Sequence, residues 1–234
     1  MYGFGTGTAT HLGGRALNED AVLAGERLVA VADGVGGLAH GGVASRLALD
    51  TLDAAFAADR TVSGLLGAVR EANEAVWKHA ASDSGQAAMG TTLVALALTA
   101  DADAVVLHVG DSRLYRLTGG RVIAVTRDHT VVAELVRGGA LGAAAAAHHP
   151  RRHVLTRAIG TSPQVDADFA SLPCVPGDRF LLCTDGLYGV LPAENLADAL
   201  TAEADPRSAA EALVAGAVDR GPADNVTALV ADVR

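Results

Sequence analysis

Aromatic residues make up only 3% of the 234-residue chain, and it holds just two cysteines, Cys174 and Cys183. With so few rings, alanine and valine must carry much of the core. The cysteines lack the spacing of a metal site. Cys183 sits inside the apolar run RFLLCT (179–184) and reads as a small buried hydrophobe. Neither cysteine calls for an oxidising compartment. No run of ~18 apolar residues is present, so no segment reads as a membrane span. The opening MYGFGTGTATHLGG has neither the positive nor the apolar region of a signal peptide. There is no basic excess either: the net charge is −9 and the isoelectric point about 5.2. That balance argues against general nucleic-acid binding and fits a cytoplasmic protein. No GK[ST] occurs, and Gly3, Gly5 and Gly7 follow no strand-like run, so a nucleotide-binding loop is not supported.

What is there is half apolar, without a linker or low-complexity tail, so a single domain over residues 1–234 is expected. Strand-like runs rich in β-branched residues fall at 28–32, 92–99, 104–109, 113–117, 121–126, 165–172, 179–184 and 226–233. The TGG between 113–117 and 121–126 reads as a hairpin turn. Helical spacing marks 41–58, 62–80, about 192–201 and 206–219, the last opened by Asp205-Pro206. The order is one strand, two long helices, then a run of strands. A parallel βαβ alternation would look different. Consecutive strands imply antiparallel pairing, and segregated helices imply an α+β fold with two stacked sheets flanked by helices. The stretch 127–160 begins as a helix and dissolves into glycine and alanine. Such an insertion in a compact domain tends to be functional or mobile.

Carboxylates recur where apolar runs end. Asp33 follows LVAVA and precedes Gly34; Asp111 follows AVVLHVG; Asp185 follows RFLLCT and precedes Gly186; Asp224 precedes the final strand. A lone Asp-Gly is ordinarily a turn. Four at strand ends can converge on one edge of the sheets. Converging carboxylates repel one another and raise each other's pKa, so a cation is needed to offset the cost. Mg²⁺ and Mn²⁺ take oxygen ligands of this kind. A glycine after the ligand lets the backbone carbonyl approach as a further donor. Two such ions sharing a water lower its pKa enough for in-line attack on phosphorus. Arg15, ahead of Asn18-Glu19-Asp20, offers a bidentate fork for phosphate oxygens.

The ordered series GRALNEDA (14–21), VADGVGGLAHGGVAS (31–45), GTTLVALAL (90–98), HVGDSRLYRL (108–117), RDHT (127–130), HPRRHVLTRAIG (149–160), LLCTDGLYGVL (181–191) and DNVTALV (224–230) resembles the bacterial protein phosphatase 2C-like family of metal-dependent serine/threonine phosphatases. The match runs from about residue 12 to 233. Each motif is weak alone; eight in order are specific. The resemblance implies a four-layer α-β-β-α sandwich with two central, mostly antiparallel sheets and a metal centre at one end. It implies that Asp33 bridges two Mn²⁺ or Mg²⁺ ions, with the Gly34 carbonyl on one and Asp185 and Asp224 on the other. Asp111, with Asp185, matches the position that holds a third, weaker ion in many bacterial members. Arg15 matches the phosphate-binding arginine, and Glu19 and Asp20 match positions that hold metal-bound waters. The implied partners are phosphorylated proteins, including a serine/threonine kinase or its targets, met by a monomer that cleaves by direct attack without a phosphoenzyme.

One departure stands out. Where some family members carry a histidine proposed as general acid, this chain has Val35, which cannot donate a proton. His40 is a poor substitute, since most lone histidines are structural or on the surface. Ser112 has no base placed beside it by sequence and reads as structural. The segment 131–153 corresponds to the family's variable flap; its Arg151, Arg152 and His153 place positive charge in an acidic chain. His148, His149 and His153 lack the cysteine company of a typical transition-metal site. Two other readings differ in class: a fold kept for binding alone, marked by lost metal ligands, and a hydrolase of small phosphoesters.

Overall fold

The computed structural model describes residues 2–36, 40–82, 89–101 and 104–234. Gly37, Leu38 and Ala39 of the DGVGGLAHGG motif lie outside the described residues. The strands are β1 Phe4–His11, β2 Asp20–Ala24, β3 Leu28–Val35, β4 Gly90–Thr91, β5 Leu93–Ala97, β6 Val105–Val109, β7 Arg113–Thr118, β8 Arg121–Ala124, β9 Asp168–Ser171, β10 Arg179–Cys183 and β11 Val226–Val233. The helices are α1 His40–Ala58, α2 Val62–Ser82, α3 Val131–Arg137, α4 Ala143–Ala146, α5 Asp185–Tyr188, α6 Ala193–Ala202 and α7 Pro206–Val218.

Two sheets form, one in the order β1-β11-β10-β7-β8 and the other β2-β3-β5-β6-β9, with β4 paired to β3. Among the described residues, every strand pairing within the two sheets is antiparallel. Alternation along the strands divides the core into three slabs. Leu28, Ala30 and Ala32 of β3 face α1 and α2, where Leu49, Leu52, Phe56 and Leu65 cover them. Val29 and Val31 face inward and meet Phe180, Leu182, Leu229 and Ala231 between the sheets. Leu181 and Cys183 point the other way, towards Leu196, Leu200 and Leu213 of α6 and α7. The layers are therefore α, β, β, α. Among the described residues, Phe4 and Phe180 are the aromatic rings buried between the sheets, and valine, leucine and alanine fill most of the rest. Burial of each such large side chain contributes roughly 1.5–3 kcal/mol.

Two strands escape the sequence pattern. β1, FGTGTATH, has one large apolar residue and alternates glycine with threonine; β2, DAVLA, is short and half-buried up to the exposed Ala24. Both are outer strands of their sheets, where packing asks for less apolar surface. Three strands, not one, thus precede the long helices. Gly5 and Gly7 lie inside β1 because neighbours crowd them: a Cβ on Gly7 would stand 2.1 Å from the Arg207 backbone nitrogen of α7. The run 165–172 shortens to β9, and the 127–160 stretch resolves into α3, α4 and turns. Thr130 caps α3, its hydroxyl accepting from the Ala133 N–H.

Candidate active site

Asp33 and Asp20 are register partners on β3 and β2. Asp33 lies inside its strand rather than at its end, because β3 runs on to pair Gly34 with Thr91 and Val35 with Gly90. Its backbone is held on both sides: the N–H donates to Thr92 Oγ1 at 2.9 Å, and the carbonyl accepts from Thr91 Oγ1 at 2.9 Å. These bonds fix the backbone from which the Asp33 side chain leaves the strand. Gly34 is required by close approach, since a Cβ there would lie 2.1 Å from the Gly41 carbonyl oxygen of α1.

The other carboxylates arrive from three different places. Asp111 occupies the turn between β6 and β7, where Gly110 takes a φ of +103°, and its carbonyl accepts from the Tyr188 hydroxyl at 2.9 Å. Asp185 is the first residue of α5, directly after β10. Asp224 leads into β11; its Oδ1 accepts from the Asn225 N–H at 2.8 Å and its Oδ2 from Arg15 Nη2 at 2.7 Å. Asn225 also ties the Arg15 loop down: its Nδ2 donates to the carbonyls of Leu12 and Leu17, and its Oδ1 accepts from the Glu19 N–H. Asp33, Gly34, Asp111, Asp185, Asp224, Arg15 and Glu19 all line one cleft of about 1290 Å³. Asp20 is not among the lining residues. Its Oδ2 accepts from the hydroxyls of Thr227 at 2.6 Å and Thr184 at 3.0 Å.

This gathering strains the carboxyl groups. Burial, then the neighbouring Asp20 and Asp185, holds Asp33 well above the usual carboxylate range. Burial and Asp185 push Asp111 up to about 7. Burial raises Asp20 to about 6 against the pull of its two threonine hydroxyls, and burial with Asp224 raises Asp185. Among the described residues, Glu19 Oε1, Asp20 Oδ1 and Asp185 Oδ1 are buried oxygens with no hydrogen-bond partner. An orphaned buried carboxylate oxygen is costly. Three of them in one all-oxygen donor set fit hard divalent cations.

Basic side chains already lean on this centre. Arg15 meets Asp224, and His153 Nδ1 of the 131–153 segment stands 3.3 Å from Asp185 Oδ2. Arg152 and the apolar face of α3 (Val132, Ala133, Val136) line the same cleft, which puts the insertion beside the carboxylates. Ser112 is buried and shares a 2.6 Å hydrogen bond with Thr92 Oγ1. Both cysteines are buried, and burial pushes the Cys183 thiol up to about 12.

The sequence reading missed one wall of the cleft. Arg113 forks onto Asp128 at 2.9 and 2.7 Å and lays its guanidinium carbon 3.6 Å from the Tyr188 ring centroid. The motifs GDSR, RDHT and DGLYG supply these partners, but their meeting is tertiary. It also missed a trio outside the carboxylate set: ligand atoms of His108, His129 and Asp168 lie within 4.8 Å of one another. His148, His149 and His153 do not read as a metal site in the sequence; in the structure His149 Nδ1 accepts from the Arg151 N–H and His153 turns to Asp185.

A two-sheet sandwich that gathers carboxylates from both sheets at one end, beside Arg15, has the donor set of an oxygen-liganded metal centre. The family model for protein phosphatase 2C matches residues 7–215, and the chain belongs to that family. The serine/threonine protein phosphatase PstP of Mycobacterium tuberculosis is 39% identical over 222 residues, covering 94% of this chain and 43% of that protein. The chain thus spans less than half the length of that curated relative. The crystal structure of the PPM Ser-Thr phosphatase MsPP from Mycobacterium smegmatis, in complex with cacodylate, superposes with a TM-score of 0.90 at 42% identity, covering 97% of each chain. The catalytic domain of PstP in complex with two manganese ions gives a TM-score of 0.86 at 33% identity, over 100% of this chain and 99% of that one. No helix among the described residues is long and apolar enough to cross a membrane.

Proposed function

We propose that the chain is a metal-dependent phosphoserine/phosphothreonine protein phosphatase. The observation that carries this reading is the convergence of Asp33, Asp111, Asp185 and Asp224 with the Gly34 carbonyl in one cleft beside Arg15, with unpartnered oxygens left on Asp185, Asp20 and Glu19. Asp33 and Gly34 would hold two Mn²⁺ or Mg²⁺ ions together with Asp185 and Asp224, and Asp111 with Asp185 would hold a third. When bound, such ions supply an activated water and neutralise phosphoryl charge. Glu19 and Asp20 orient the waters around them. Arg15 clamps two phosphoryl oxygens with its fork. Val35 lines the cleft without a proton to give, so the leaving alkoxide takes its proton from solvent or from a group other than residue 35. A buried Ser112 bonded to Thr92 supports direct attack over a phosphoserine intermediate.

The substrates are phosphorylated proteins, a serine/threonine kinase or its targets among them, met by a monomer in the cytoplasm. The names of the relatives, serine/threonine phosphatases, support the phosphoprotein part of this reading. The experiment is hydrolysis of phosphoserine and phosphothreonine peptides against small phosphate esters at equal low concentration, with Mn²⁺ and with EDTA. Peptide hydrolysis that EDTA abolishes is expected. Activity undiminished by EDTA would remove the metal mechanism, and preference for the small esters would shift the substrate class.

A further inference from the structure

The turn that carries Asp111 is held by two histidines. The His129 backbone N–H donates to the Gly110 carbonyl at 2.7 Å, and His129 Nδ1 accepts from the Gly110 N–H at 3.2 Å. One residue therefore satisfies both backbone groups of Gly110. On the far side of Asp111, His108 Nε2 meets the Ser112 carbonyl at 2.9 Å. The two rings pack with centroids 4.7 Å apart. Burial, with His129 beside it, pushes His108 down to about 4, so the ring is neutral and Nε2–H faces the carbonyl. Because Nδ1 of His129 accepts, its Nε2 carries the proton, and Asp168 Oδ2 lies 3.2 Å from it. Asp168 is in turn the register partner of His108 across β9 and β6. A carboxylate that fixes the tautomer of a histidine, which then fixes a loop, is an outer-shell arrangement.

The same trio has the donors of a metal site, but its cation is already present. Arg157 Nη1 donates to Asp168 Oδ1 at 2.8 Å and stands 3.4 Å from His129 Nε2. We infer instead that His129, oriented by Asp168 and packed on His108, is the positioning residue for Asp111. His129 also anchors both roots of the 131–153 segment: Thr130 follows it and bridges to Leu155, and the Thr156 N–H donates to the His129 carbonyl at 2.8 Å. The inference rests on the reading of Asp111 as a metal ligand.

The test is Mn²⁺ binding to the full chain by titration calorimetry, comparing wild type with D111N, H129F, H129N and D168N, each checked for folding by thermal melt. D111N should weaken the weakest Mn²⁺ step. H129F should weaken that same step about 10-fold and leave the tighter steps within about twofold, as loss of an outer-shell partner does. H129N, whose Oδ1 can still accept from Gly110, should fall between H129F and wild type. D168N changes a half-exposed residue and decides the matter if H129F does not fold; it should move the same step in the same direction. Wild-type binding by H129F and D168N, alongside a weakened D111N, overturns the inference, as does uniform weakening of every step. Wild-type binding by D111N removes the ligand reading itself, and the inference with it.

Discussion

Arg15 and Asp224 are joined by a 2.7 Å hydrogen bond across 209 residues of chain, with the guanidinium half-exposed above the cleft. The pair links the group suited to phosphate with a group suited to metal. That bond also raises the pKa of Arg15 further, so the fork is always charged.

Replacing Arg15 with alanine should therefore act on capture more than on turnover. A lost charge-assisted hydrogen bond costs about 1.5–3 kcal/mol, which corresponds to roughly a 10- to 100-fold rise in KM for a phosphopeptide with a smaller fall in kcat. R15K should recover part of the loss, since lysine keeps the charge and lacks the fork. An unchanged kcat/KM in R15A would take Arg15 out of the site.

Asp33→Asn and Asp185→Asn should abolish phosphopeptide hydrolysis while leaving a folded protein. Burial and mutual repulsion hold both carboxyls above their usual range, so removing either charge relieves the metal-free fold. Thermal midpoints in EDTA at pH 8 should equal or exceed wild type. Appreciable turnover in either variant, or a collapse of its melting transition, contradicts this role.

The same repulsion sets a pH dependence. Asp111 titrates at about 7 in the folded chain against 3.8 for an ordinary aspartate. A carboxyl whose pKa is raised by folding contributes stability below its unfolded value and loses it as pH rises through the folded one. In EDTA, wild type should lose about 1 kcal/mol between pH 6 and 8 from Asp111 alone, and D111N should flatten the slope. Added Mn²⁺ should stabilise more at pH 8 than at pH 6, because its ligands must be deprotonated. Chemical denaturation at the two pH values measures both.

How much of the fold and the site is legible in the sequence varies with the physics involved. Central strands and the long helices announce themselves by apolar periodicity, as in LVAVA and in 62–80. β1 does not, because an outer strand built mostly of Gly, Thr and Ala carries little apolar signal, and β2, DAVLA, is too short to show a period. Asp33, Asp111, Asp185 and Asp224 were visible because each abuts an apolar run. Asn225, His129 and Arg113 were not, although they sit inside quoted motifs. Their roles are hydrogen bonds to backbone atoms or side chains far along the chain, and no local pattern encodes a partner 206 residues away.

Ser112 gives a sharper test of direct attack. It is fully buried, and its hydroxyl shares a 2.6 Å hydrogen bond with Thr92, whose Oγ1 also accepts from the Asp33 N–H. S112A should retain turnover and lose about 1–2 kcal/mol of stability, the cost of an unmade buried hydrogen bond. A phosphorylated Ser112 trapped by rapid quench, or the loss of all turnover in S112A with the melt intact, would replace water with serine as the nucleophile.

His153 tests whether the 131–153 segment competes with metal. Its Nδ1 is 3.3 Å from Asp185 Oδ2, yet the ring is mostly exposed. A contact of that kind is worth about 0–1 kcal/mol. His153 holds one oxygen of the carboxyl that a divalent ion would share, so H153A should lower the Mn²⁺ concentration for half-maximal activity by up to about fivefold and leave kcat at saturating metal nearly unchanged. Calorimetric Mn²⁺ affinity should shift in the same direction. A higher Mn²⁺ requirement in H153A would mean that the histidine helps to hold the metal or its water, and the segment would then be part of the centre rather than its rival.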